Sequence, residues 1–128
     1  MLKVYQFGLS KEEGDLVNSK GWDASPKTSA YADKGFNGYQ SGTAQYYKYV
    51  ANVYTDDLEE SFRLMNLWED YSKVKFVNNE RPYSMSVGDV VETEDGEFYA
   101  VAGFGFDKIN PNEFASFTTQ EKYATSNA

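Results

Sequence analysis

Alternation of apolar and polar positions marks the extended segments of this chain. Residues 2–7, LKVYQF, set Leu2 and Val4 against Tyr5 and Phe7 and predict a first strand inside a sheet. Residues 46–54, YYKYVANVY, give the strongest strand, with Tyr47, Tyr49, Ala51 and Val53 on one face and Tyr46, Val50 and Tyr54 with Lys48 and Asn52 on the other. A central place in the sheet is expected for it. Val74 and Phe76, spaced by Lys73 and Lys75, predict a short edge strand, followed by a loop carrying Asn78-Asn79 and Arg81-Pro82. Residues 84–106, SMSVGDVVETEDGEFYAVAGFGF, predict a β-hairpin, because Asp95-Gly96 suits the positive-φ positions of a type I′ turn and β-prone residues flank it. That turn pairs Val91 with Ala100, Val90 with Val101 and Gly88 with Gly103. Both faces of the ribbon then carry apolar side chains, so at least one face is expected to be well buried. Asp89 is read as a structural acceptor for backbone amides beside Gly88, and Phe104 and Phe106 as core anchors at a bend.

A period near 3.6 appears in two places. Ser10 and Glu13 form a capping box for a helix over Lys11–Lys20 that should bury Leu16 and Val17 and stop at Gly21. Thr55 or Asp56 is the expected cap of a second helix, in which Leu58, Phe62, Met65 and Trp68 form one stripe toward the sheet. Asn110-Pro111-Asn112-Glu113 offers a cap for a brief helical turn using Phe114 and Phe117, with residues 118–128 as a flexible tail. Residues 21–45 lack periodicity and are read as a connection, within which Tyr31, Phe36, Asn37 and Tyr39 form a candidate contact loop. The elements together predict an α+β fold over residues 1–117: a mainly antiparallel sheet of four to five strands with two helices packed on it.

Composition narrows the chemistry. The 128 residues include no cysteine and no histidine, which excludes disulfides, thiolate and imidazole metal ligands, cysteine nucleophiles and histidine acid/base catalysis. No phosphate-loop motif occurs in KGFNGYQSGT. Asp89 and Glu92, three apart on an extended strand, face opposite sides and cannot act as a carboxylate pair. The acids at the hairpin tip lack the spacing of an EF-hand loop. A non-enzymatic protein without cofactor or metal is expected. The N-terminal residues lack the apolar core of a signal peptide, and no run of 18 apolar residues occurs, so a cytoplasmic protein without membrane attachment is expected.

The net charge of −8 is concentrated: residues 56–97 hold twelve acids against four bases. Asp56, Asp57, Glu59 and Glu60 before and within the second helix, and Glu92, Glu94, Asp95 and Glu97 around the hairpin tip, are therefore the candidate partner-binding residues. Such a surface repels phosphate backbones and fits a basic protein, of the host or of a mobile element, with no direct contact to nucleic acid. In its strongest form the surface is a DNA mimic directed at a defence protein. The alternative is a small nucleotide-, RNA- or peptide-binding module in which tyrosines stack bases, with Lys3, Lys20, Lys27, Lys34 and Lys48 as its cations.

The run Ser84-Met85-Ser86-Val87-Gly88-Asp89-Val90-Val91, followed by Tyr99-Ala100-Val101-Ala102-Gly103-Phe104-Gly105-Phe106, resembles a pattern in small proteins of bacteriophages and conjugative elements related to the YodL-like domain. That pattern carries an arginine just before the serines; here Arg81-Pro82-Tyr83 stands nearby. The resemblance covers about 25 residues and implies a genomic setting, that of a phage or mobile-element accessory protein, and no particular chemistry.

Overall fold

The computed structural model describes residues 1–67 and 70–114 and shows an α+β fold around one six-stranded antiparallel sheet. Its strands are β1 (Leu2–Phe7), β2 (Tyr47–Val53), β3 (Val74–Phe76), β4 (Val90–Glu92), β5 (Phe98–Val101) and β6 (Phe106–Ile109), in the order β3-β2-β1-β4-β5-β6. The helices are α1 (Lys11–Lys20), α2 (Pro26–Asn37) and α3 (Leu58–Leu67). No described helix is long and apolar enough to cross a membrane.

A bulge in β2 gives the sheet two different cores. Val4 pairs with Ala51 but the next residue, Tyr5, pairs with Tyr49, so Val50 is an extra residue on β2. The interruption reverses which side of the sheet the odd-numbered residues of β2 face. Tyr47 and Tyr49 join Tyr5, Phe7, Val90, Phe98, Ala100 and Phe114 on one side. Ala51 and Val53 join Leu2, Val4, Leu64, Met65, Val74, Met85, Val91 and Val101 on the other. The single face expected for Tyr47, Tyr49, Ala51 and Val53 is thus split between two. Strand β2 is an interior strand, and β3 an edge strand, as their patterns predict.

The hairpin forms one residue out of the predicted register. Val90 pairs with Ala100, Val91 with Tyr99 and Glu92 with Phe98. The Gly96 amide donates to the Thr93 carbonyl and the Thr93 amide to the Glu97 carbonyl, which closes a three-residue loop with Gly96 at φ +81, in place of the two-residue type I′ turn. The next feature follows from the same slip. Gly88 donates to the Val101 carbonyl at 2.8 Å while Val101 donates to the Asp89 carbonyl at 2.8 Å, so two residues oppose one in a bulge at the start of β4. Gly88 sits at φ +87, and a Cβ there would lie 2.3 Å from Lys34 Cγ, so only glycine fits. The expected long second strand breaks at Gly103-Phe104-Gly105, where the Ala102 amide donates to the Gly105 carbonyl and the chain reverses into β6. Phe104 is therefore 99% exposed at the tip of that turn, not a core anchor, and Phe106 is half-buried.

Helix α1 carries both hydrogen bonds of its capping box and ends at Gly21, whose amide donates to the Val17 carbonyl. Leu16 and Val17 are half-buried, so the helix lies shallowly on the rest. Residues 26–37 are helical where a connection is expected: Ser25 caps the Thr28 amide, Thr28 returns the bond, and Pro26 occupies the first turn, where its missing N–H costs nothing. Asp57 caps α3 by accepting from the Glu59 amide at 3.0 Å, one residue beyond the later of the two expected caps. The buried side of α3 is Ser61, Leu64 and Met65 with Leu58 half-buried; Phe62 lies on the exposed side, and Trp68 falls outside the described residues. Asn110 caps a helical turn at residues 111–114 by accepting from the Asn112 amide at 3.0 Å, and Phe114 is buried. Phe117 and residues 118–128 lie outside the described residues.

Candidate functional site

The strands β1 and β2 run antiparallel, so the start of β1 and the end of β2 share one end of the sheet. The predicted acids meet there. The Met1 nitrogen lies 3.0 Å from Asp56 Oδ1 and 3.0 Å from Glu94 Oε1, which brings the approach to α3 and the tip of the β4–β5 hairpin to one point. Asp57, Glu59 and Asp95 are exposed close by in sequence and form no ion pair among the described residues. Beyond Asp56 and Glu94, two more of the predicted acids are partly neutralised, by side-chain cations. Glu60 lies 3.8 Å from Arg63 and 3.7 Å from Lys73. Glu97 accepts from the Tyr99 hydroxyl and faces Lys108 at 3.3 Å, and these two contacts hold its carboxyl below the ordinary glutamate value.

Glu92 does not belong to this surface. It is 9% exposed and accepts a 2.6 Å hydrogen bond from Tyr5, on the aromatic side of the sheet. Its inward direction follows from strand alternation with Val90, and the partner that satisfies it comes from a strand 87 residues earlier.

The candidate contact residues of 31–39 also divide. Tyr31 packs on Phe7, with ring centroids 5.4 Å apart, and stacks on Trp22. Tyr39 donates to Glu113 at 2.8 Å and packs on Tyr47 and Phe114. Both rings are therefore part of the packing. Phe36, 88% exposed, and Asn37 point the other way and line a cleft of about 440 Å³ with Gly103 and Asp107.

At the opposite end of β1 and β2 lies a buried polar cluster that sequence reasoning assigned only in part. Asp89 is 2% exposed; its carboxylate accepts from the Ser86 amide at 3.0 Å and from Gln6 Nε2 at 3.1 Å, and Lys34 Nζ lies 3.4 Å away. Lys34, on α2, is itself 7% exposed, with its ammonium 5.4 Å from the Tyr31 ring centroid. Burial pushes the Asp89 carboxyl above its ordinary value, and Lys34 opposes that shift. The expected backbone-acceptor role of Asp89 holds, and the lysine ties the sheet to α2 through it. Tyr47 donates to the Gly88 carbonyl at 2.6 Å beside this pair, and burial raises the pKa of its phenol. Among the described residues no group of three carboxylates could hold a metal ion.

Compared with protein-family models, with characterised proteins and with solved structures, the chain matches none.

Proposed function

We propose that this protein acts without catalysis, by docking a basic protein against the acidic end of its sheet, as an accessory protein of a bacteriophage or mobile element. The observation that supports the reading is the meeting of Asp56 and Glu94, 38 residues apart in sequence, at the Met1 nitrogen, with Asp57, Glu59 and Asp95 exposed beside them. Charges collected from two elements at one place steer a basic partner and set its orientation, with a strong dependence on ionic strength. One of the two elements, the hairpin that carries Glu94 and Asp95, is firm, since it is paired on both sides, to β1 and to β6.

The test compares the parent protein with a variant carrying Asp56→Lys, Glu59→Lys and Asp95→Lys, which leaves the Asp57 cap of α3 in place, each immobilised and exposed to host lysate at low and high salt. These side chains are exposed, so the variant is expected to fold, which circular dichroism checks. The expected result is a basic protein held by the parent at low salt, shed at high salt and not held by the variant. Equal retention by both proteins would overturn the proposal.

A further inference from the structure

Beside the buried Lys34–Asp89 pair, at the end of the sheet remote from the acids, a groove of about 550 Å³ runs between the end of β1, the start of β2 and residues 77–83. It gathers three cations, Lys27, Lys48 and Arg81, against two acids, Glu13 and Glu80, in a molecule whose net charge is −8. Lys27 is engaged by Glu13 at 3.0 Å, whereas Lys48 is exposed and forms no ion pair among the described residues.

Over this groove stands an aromatic ring held in place from below. Tyr83 is 69% exposed, yet its backbone is clasped at both ends by one buried side chain: Gln6 Nε2 donates to the Tyr83 carbonyl at 2.8 Å and Gln6 Oε1 accepts from the Tyr83 amide at 3.1 Å. Gln6, 5% exposed, is fixed in turn by Asp89. The ring lies over Gly8, where a Cβ would come within 3.2 Å of it. Asn78, on the groove wall, and Asn79 both adopt left-handed backbone with φ 58, which asparagine tolerates better than most residues with a side chain and which turns the chain at this wall. An exposed tyrosine on a flexible loop loses backbone and side-chain freedom when a ligand stacks on it; here the buried glutamine has already fixed the backbone that carries the ring.

We propose that the groove binds a nucleoside phosphate, its base stacked on Tyr83 and its phosphate at Lys48 and Arg81. Stacking on one ring is worth about 1–3 kcal/mol per base, and the cations supply the anion contact. A single nucleotide is favoured over a strand, because a longer phosphate backbone would meet the net negative field of the molecule.

The test is titration of the full chain with AMP, GMP, CMP and UMP, followed by tyrosine fluorescence and by NMR, with adenosine alone, inorganic phosphate alone and a four-residue oligoadenylate as comparison arms. The expected result is saturable binding of at least one nucleotide, at least tenfold weaker binding of adenosine and of phosphate, and a tenfold or greater loss in both Tyr83→Leu and Lys48→Gln. Both residues are solvent-facing, so both variants should retain the parent's circular dichroism and thermal midpoint, and either one alone suffices as a probe. Absence of saturable binding up to several millimolar, or unchanged affinity in both variants, would overturn the proposal. Tenfold tighter binding of the oligoadenylate than of AMP would overturn the preference for a single nucleotide.

Discussion

The two sides of the sheet are built from different materials. The buried hydrophobic residues of one side are all aliphatic or methionine, from Leu2 and Val4 through Leu64 and Met65 to Val101. The other side is a set of rings in mutual contact: Phe114 lies 5.6 Å from Tyr5, 5.2 Å from Tyr47 and 5.4 Å from Phe98 by ring centroid. Aliphatic side chains are held by shape and area alone, and a similar volume serves nearly as well. The rings are also held by their polar tips: Tyr47 to the Gly88 carbonyl, Tyr5 to Glu92, Tyr49 to Asn52. A fixed geometry is therefore built into one side of the sheet and not the other. The aromatic side and the Lys34–Asp89 pair adjoin the groove and the cleft, while the aliphatic side backs onto α3 and supports the sheet as a whole.

The largest expected effect comes from emptying the aromatic side. Phe114→Ala removes a fully buried ring and should cost about 3–5 kcal/mol of unfolding free energy, read by urea denaturation. A loss below about 1 kcal/mol would mean that the ring cluster is not a core.

Next comes the ion pair that clamps α2 to this side. Lys34→Met leaves a buried carboxylate without its cation and should cost roughly 3 kcal/mol at neutral pH. Because burial raises the Asp89 pKa in the folded state, the fold favours the protonated acid and loses stability as pH rises through that value. Removing Lys34 enlarges that loss, so the deficit of the variant should shrink on acidification. Denaturation at neutral and acidic pH checks the sign; a deficit that stays constant in acid would show that Asp89 is held as the carboxylate by other groups.

The smallest effects sharpen the contrast between the sides. Tyr47→Phe keeps the ring but strands the Gly88 carbonyl and should cost about 1–2 kcal/mol. Met65→Leu, fully buried on the aliphatic side, keeps volume and should cost less than about 1.5 kcal/mol, with a value near zero expected. If the methionine change proves costlier than the tyrosine change in the same thermal unfolding series, the distinction between a shape-tolerant and a geometry-fixed side fails.

Much of the fold was legible where the code is local. Strand β1, the interior place of β2, the edge place of β3 and the Ser10–Glu13 cap each rest on residues within one element. The hairpin register was not legible, because both faces of the ribbon are apolar and a slip by one residue buries apolar side chains either way. Helix α2 was hidden by its own content: its buried residues are Thr28 and Lys34, so it has no apolar stripe, although Ser25-Pro26 followed by Thr28 is a start signal that could have found it. The acidic end was legible as a run of charge except for Glu92, whose burial depends on a distant tyrosine. The groove was not legible at all, since residues 6–10, 46–50 and 77–83 are neighbours only through the order of the strands.

The extra residue at Val50 has a meaning for how this chain can vary. Because the bulge lets one strand feed rings to one core and small aliphatic side chains to the other, the lengths of the two halves of β2 are locked together. Deleting Val50 would rotate one half of the strand by a full side-chain step and send either Tyr47 and Tyr49 into the aliphatic layer or Ala51 and Val53 into the aromatic one. Insertions and deletions that persist in descendants of this sequence should therefore collect in the turns, at residues 93–97 and 102–105, and leave β2 at constant length.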